Sequence, residues 1–307
     1  MVSRVVARER IPEILQSRYR LDRLLGAGGE SSVYAAHDLV LHRDVVVKLR
    51  AADPLSPDDL LTQQAEALRH AALSHHALTT LFDAGVDSTD PEHPQVYSVM
   101  EHVLGGDLRG WLRRGALSVH QVCWLGHDLA EAADYLHDCG LIHRDIKPAN
   151  VLLAERATDT RIRGKLTDFG IAKPIGDREP GEYTVGTAAY LSPEQVEGYD
   201  ATPRSDTYAL GLVLIESLTG RRTFPGGIEQ SAFARLDRQP DVPSDIPGPL
   251  RAVLEQMTAR RPADRPELQD VADLLQRIVV GGARRASRRV PLPRVLQRRP
   301  RHGAGPE

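Results

Sequence analysis

Residues 143–150 read His-Arg-Asp-Ile-Lys-Pro-Ala-Asn, and eighteen residues after Asn150 comes Asp168-Phe169-Gly170. The first run puts a carboxylate (Asp145), an ammonium (Lys147) and an amide (Asn150) in one short loop. The second adds a carboxylate beside a Phe-Gly pivot. Such a set can hold Mg²⁺, a phosphate and an attacking hydroxyl together. The flanks supply the context. From Ser118, the apolar residues Val122, Leu125, Leu129, Ala132 and Leu136 recur every three or four positions and Gly140 closes the run, which predicts a helix leading into the loop. Val151-Leu152-Leu153 and Lys165-Leu166-Thr167 read as two short strands after it. The chain carries its own control: His42-Arg43-Asp44 repeats the tripeptide, but no Ile-Lys-Pro-x-Asn follows, so it is assigned no catalytic role.

Upstream, Tyr19 to Leu49 is strand-like with a Gly-rich turn at 26–29, inside Leu25-Gly26-Ala27-Gly28-Gly29-Glu30-Ser31-Ser32-Val33-Tyr34. Glycines there let backbone N–H groups approach phosphate oxygens without Cβ clashes. Lys48 closes the apolar run Val45-Val46-Val47. Ser56-Pro57-Asp58-Asp59 reads as a helix start, followed by a stripe of Leu60, Leu61, Ala65, Leu68 and Ala72. A turn-rich loop at 87–94 precedes a strand at Val96–Met100. Ser205–Gly220 is apolar on nearly every face, which places it at the centre of a lobe. Helices follow near 249–259 and 267–279. Residues 1–18 read as a lead-in with helical character, and 281–307, rich in Gly, Pro and Arg, as a disordered tail. The fold class expected is α+β: a small β-rich lobe over 19–100, a hinge at 101–107 and a larger helical lobe over 108–280.

In this order, the motifs resemble the bacterial eukaryotic-like (Hanks-type) Ser/Thr protein kinases over roughly residues 19–280. The resemblance implies a bilobal protein-kinase fold. It implies transfer of the γ-phosphoryl of ATP, with Mg²⁺ or Mn²⁺, to Ser/Thr hydroxyls of proteins, the kinase itself included. Asp145 would orient the hydroxyl and take its proton, and Lys147 would neutralise charge on the transferring group. Asn150 and Asp168 would ligate the metal. Lys48 would meet the α- and β-phosphates and pair with Glu66, whose Glu66-Ala67 and His75 follow a pattern similar to E-A-x-x-L…L-x-H. Gly26, Ala27, Gly28, Gly29 and Val33 would cover the phosphates. Met100, Glu101 and Val103 would present backbone groups to the adenine, and Asp107 would bind the ribose hydroxyls or a substrate Arg. Two positions depart from the pattern: Ser31 stands for the third glycine and Val46 for the alanine before the lysine.

Further matches bear on substrate and scaffold. Lys147 and Gly186-Thr187 resemble the Ser/Thr branch. Ser192-Pro193-Glu194 resembles A-P-E, with Glu194 expected to pair with Arg265. Asp206 and Gly211 match the D-x-x-x-x-G that anchors the catalytic loop. Arg144 before Asp145 is similar to kinases switched on by phosphorylation of the segment 168–194. Between Gly170 and Gly186 the only hydroxyls are Tyr183 and Thr184, and Thr184 is the expected autophosphorylation site.

Composition narrows the setting. The net charge of −3 divides into +7 over residues 282–307 and −10 over the rest, an acidic body with a basic tail that includes Arg284-Arg285-Ala286-Ser287. The tail reads first as a solvated charge run; the sharper readings are a segment that docks on the acidic body, an anionic membrane contact or a basophilic phosphosite at Ser287. Lysine occurs only at 48, 147, 165 and 173, against 35 arginines, so a lysine inside a motif marks a need for a compact ammonium. That arginine bias fits a GC-rich bacterial genome. Cys123 and Cys139 form no disulfide framework, and neither a secretory signal nor a bilayer-length apolar run occurs, so a soluble, stand-alone cytoplasmic protein is expected. Protein substrates are the expected partners, with no specific nucleic-acid binding; nothing in the sequence sets the oligomeric state. The alternatives are a nucleotide-binding pseudokinase scaffold, disfavoured because Lys48, Asp145, Asn150 and Asp168 are all present, and a small-molecule kinase.

Overall fold

A computed structural model describes residues 11–27, 31–51, 70–90, 94–154, 161–168, 173–174 and 188–287. The small lobe is a six-stranded antiparallel sheet. Its strands are β1 (Glu13–Leu15), β2 (Tyr19–Ala27), β3 (Ser31–Asp38), β4 (Arg43–Ala51), β5 (Leu81–Asp87) and β6 (Gln95–Glu101), in the order β1-β2-β3-β4-β6-β5. Period-two alternation builds it. Val45, Val47 and Leu49 bury one face of β4 with Leu21, Tyr34, Ala36 and Val99, which turns Val46 and Lys48 to the opposite face. On that face Val33 lies opposite Lys48, Ala35 opposite Val46, and Val46 opposite Met100.

The lead-in departs from the expected helix. Glu13–Leu15 forms a strand, with Leu15 opposite Tyr19 and buried, because pairing with β2 satisfies its backbone and hides its apolar end. Of the helix expected from residue 57, only the end at 70–71 falls within the described residues.

The larger lobe holds α1 (Leu108–Leu112), α2 (Val119–Asp138), α3 (Pro193–Val196), α4 (Pro203–Thr219), α5 (Ile228–Asp237), α6 (Gly248–Met257) and α7 (Leu268–Ser287). Two short hairpin-like sheets pair β7 (Leu141–Ile142) with β10 (Lys173–Pro174) and β8 (Val151–Ala154) with β9 (Arg163–Leu166). A capping box between Ser118 and Gln121 starts α2, and all five expected stripe residues are buried. Helix α4 is buried from Ser205 through Ile215, as its all-round apolar sequence requires, and Gly220 ends it at φ +68°. Gly211 lets α6 approach: a Cβ there would lie 2.8 Å from Thr258 Cγ2.

Helix α7 runs to Ser287, so residues 281–287 are helical where disorder was expected. Leu268, Val271, Ala272, Leu275 and Val279 anchor it on one buried face. Propagation beyond an anchored helix adds one hydrogen bond per residue, and Ala283-Arg284-Arg285-Ala286 are favourable helix formers. Residues 288–307 lie outside the described residues.

Candidate active site

The catalytic loop hangs from one buried carboxylate. Asp206, on α4, accepts the backbone N–H groups of His143 and Arg144 at 2.9 Å each and the Nε2 of His137, at the end of α2, at 2.8 Å. Burial opposes its charge, but the bonds from His137 and His143 outweigh burial and hold the carboxyl below its usual range. The pull on two successive amides accompanies a left-handed backbone at Arg144, φ +66°, a conformation that costs a non-glycine residue energy and that the two bonds offset. The His143 ring bridges to the next strand. Its Nε2 donates to the Thr167 carbonyl at 3.2 Å while its Nδ1 accepts from the Asp145 N–H at 3.3 Å.

Three of the sequence-derived catalytic residues meet in this loop. Asp145 Oδ2 receives Lys147 Nζ at 2.6 Å and Asn150 Nδ2 at 2.8 Å. Asn150 Nδ2 also donates to the Asp145 carbonyl at 2.9 Å. With both amide hydrogens engaged, the Asn150 side-chain oxygen accepts no hydrogen bond among the described residues. Asp145 Oδ1 is buried and has no hydrogen-bond partner among the described residues. A buried acceptor without a donor is costly, and a substrate hydroxyl is a group that would satisfy it.

Across the cleft, Lys48 Nζ donates to Asp168 Oδ1 at 2.5 Å. Asp168 itself adopts φ +66°, directly after β9 and Thr167. Its second oxygen and the amide oxygen of Asn150 form a hard donor set that fits Mg²⁺. Met100 and Val103 are buried, and Val103 has no backbone hydrogen bond among the described residues, so its peptide group remains available. The Glu101 N–H, by contrast, already donates to the Thr80 carbonyl at 2.9 Å, which leaves that residue only its carbonyl to offer. Asp107 caps α1, accepting the Gly110 N–H at 2.6 Å. Gly26 and Ala27 form the outer end of β2, opposite Val33 and Ser32. Gly28, Gly29, Glu66, Phe169, Gly170, Tyr183, Thr184 and Gly186-Thr187 lie outside the described residues. The decoy tripeptide is structural: Arg43 covers the Phe82 ring at 3.6 Å and Asp44 pairs with His37 at 2.8 Å.

The A-P-E-like carboxylate is held as expected. Arg265 Nη1 and Nη2 reach Glu194 Oε1 and Oε2 at 2.7 and 2.8 Å, and the Ser205 hydroxyl donates to Oε1 at 2.7 Å. Burial opposes the charge on Glu194, and these donors overcome it to keep the carboxyl below the ordinary range.

The protein kinase domain family matches residues 19–275. The chain belongs to that family. Relatives of this kinase domain include serine/threonine-protein kinase PknB of Mycolicibacterium smegmatis, 37% identical over 265 residues, and PknB of Mycobacterium tuberculosis, 39% identical over 263 residues. Each alignment covers 83% of this chain and 41% of the relative. Serine/threonine-protein kinase PknA of Mycobacterium tuberculosis is 36% identical over 263 residues, covering 83% of this chain and 60% of that protein. The chain therefore spans between two fifths and three fifths of these relatives' length.

Sequence reasoning missed two residues around this kinase site. His137 supports Asp206, and nothing in its helical context separates it from a surface histidine. Lys165 Nζ bonds Glu101 Oε2 at 2.9 Å and the Leu78 carbonyl at 3.2 Å, tying the hinge to β9. The scarcity of lysine was a signal that could have found it.

Proposed function

We propose that this chain is an ATP-dependent protein kinase that transfers the γ-phosphoryl group to Ser/Thr hydroxyls of proteins, itself among them. The observation that carries the reading is the Asp145 carboxylate. One oxygen is fixed by Lys147 and Asn150, and the other is buried and without a donor among the described residues. In this reading Oδ1 accepts the substrate hydroxyl and holds it in line, taking its proton as the bond to phosphorus forms. Lys147 stays beside that carboxylate and neutralises charge on the transferring group. Lys48 holds the α- and β-phosphates, paired with Glu66 in place of Asp168. The turn at 26–29 and Val33 cover the phosphates, Met100, Glu101 and Val103 line the adenine, and Asp107 lies at the ribose edge. Asn150 and Asp168 hold Mg²⁺, or Mn²⁺ in its place, which supplies charge neutralisation at the phosphate oxygens.

The kinase domain is taken as 19–280, with a hinge at 101–107. No helix among the described residues is long and apolar enough to cross a membrane, which accords with a cytoplasmic setting. The similarity to relatives named serine/threonine-protein kinases supports Ser/Thr as the accepting residues.

The test is incubation with Mg²⁺ and γ-labelled ATP, alone and with a generic basic protein, followed by phosphoamino-acid analysis. Label on serine and threonine is expected. Nucleotide binding with no label on either protein would replace this reading with a scaffold role.

A further inference from the structure

We propose that Arg235 is a positioning residue for the protein substrate, holding the backbone of Ala188–Leu191 in the shape that receives it. This rests on the phosphotransfer reading above. The segment leads directly into Ser192-Pro193-Glu194, and residues 188–195 are all buried.

Arg235 projects from α5 and is 2% exposed. Its Nη2 donates to the Ala188 carbonyl at 2.9 Å and its Nη1 to the Leu191 carbonyl. The same guanidinium reaches back to its own helix, to the Ser231 carbonyl at 2.7 Å and the Ala232 carbonyl at 3.1 Å. Every one of these acceptors is neutral, and no carboxylate lies within ion-pair reach among the described residues. A charge buried without a countercharge is expensive. Burial pushes the Arg235 guanidinium down to about 10, so it is still a cation at neutral pH. Well-packed apolar residues often replace buried ion pairs with no loss of stability, and Arg235 has no such pair among the described residues. A cation retained here therefore points to what its fork geometry does: it bridges two carbonyls three residues apart to one rigid helix.

The other grips on the segment complete the argument. The Tyr190 hydroxyl donates to Glu216 Oε2 of α4 at 2.6 Å, and Glu194 is held by Arg265. The side chains at 190 and 194 thus have their own anchors, whereas the main chain at 188 and 191 has Arg235. Without it, two buried carbonyls lose their donor, and the peptide planes that lead into Ser192-Pro193-Glu194 are free to turn. Among the described residues, Arg235 bonds neither β4 nor the catalytic loop.

The test compares Arg235→Met, which keeps length but offers no donor, with Arg235→Gln, which keeps an amide donor. Thermal unfolding, KM for a peptide substrate, KM for ATP and phosphate release to water without peptide are measured for each. Peptide transfer by the wild type checks the phosphotransfer reading separately. The expected result is a peptide KM raised about tenfold or more in Arg235→Met. The ATP KM and peptide-independent ATP hydrolysis should stay near wild type, with partial recovery in Arg235→Gln. A folded Arg235→Met with unchanged peptide KM overturns the proposal. So does an equal loss of peptide transfer and peptide-independent hydrolysis, or the failure of both variants to fold, since either result makes the guanidinium a support of the whole lobe.

Discussion

Lys48 Nζ rests 2.5 Å from Asp168 Oδ1, joining the sheet of the small lobe to the strand end after β9. The two side chains are 28% and 34% exposed, so the pair adds little to stability. Substitution should therefore separate function from folding. Lys48→Met is expected to leave the thermal midpoint nearly unchanged while lowering kcat by about a hundredfold or more. Steady-state kinetics beside a thermal melt check this. A large drop in the midpoint would assign the lysine to the scaffold.

Asp206 is the suspension point of the catalytic loop, and its loss should damage both stability and rate. Asp206→Ala leaves the His143 and Arg144 amides and His137 without their acceptor. Urea unfolding should show a loss on the order of 3 kcal/mol, and the folded fraction should transfer phosphate far more slowly. Full activity in the folded fraction would mean the loop holds its shape unaided.

The Glu194–Arg265 pair should show the asymmetry of buried ion pairs. Arg265→Ala strands a buried carboxylate and should cost about 3–5 kcal/mol. The double variant Arg265→Met with Glu194→Leu should recover part of that loss. Additive losses in the double-mutant cycle would show that the two side chains act independently.

Mild acid should begin to destabilise the fold through a buried histidine. His70, four residues after Glu66, is pushed down by burial, with Lys48 adding and Asp168 opposing, from 6.5 to about 4. Between those values the unfolded chain binds a proton that the folded chain refuses, so stability falls as pH drops through that window. Asp206 and Glu194, both held low, begin to lose their contribution only as pH nears their ordinary values of 3.8 and 4.5, at the acid end of that window. His70→Leu should flatten the stability profile between pH 6.5 and 4. An unchanged slope would transfer the effect to another group.

Much of this molecule was legible because its signals are local. The stripe from Val122 to Leu136 names a helix, and the loop at 143–150 names the three side chains that meet in it. The pairing of Glu194 with Arg265, 71 residues apart, was reached only through resemblance to a known family. What stayed hidden depends on three-dimensional company. Nothing in the run before Tyr19 shows that Leu15 will find a strand partner, and Gly281-Gly282 hid the helix formers Ala283–Ala286 that carry α7 past Val279. Arg235 reads as one more arginine on an amphipathic helix, and its two distant carbonyl acceptors have no sequence signature. Lys165 was the exception, marked by rarity but not by any motif.

The central claim is that Asp145 acts on the substrate hydroxyl and not on nucleotide binding. The most direct measurement is single-turnover transfer from Mg²⁺-ATP by Asp145→Asn against wild type, with nucleotide affinity determined on the same preparations. Asparagine keeps the shape but cannot take the proton. The account expects near-equal nucleotide affinity and a transfer rate lower by about a hundredfold or more. Equal transfer rates in the two proteins would contradict it.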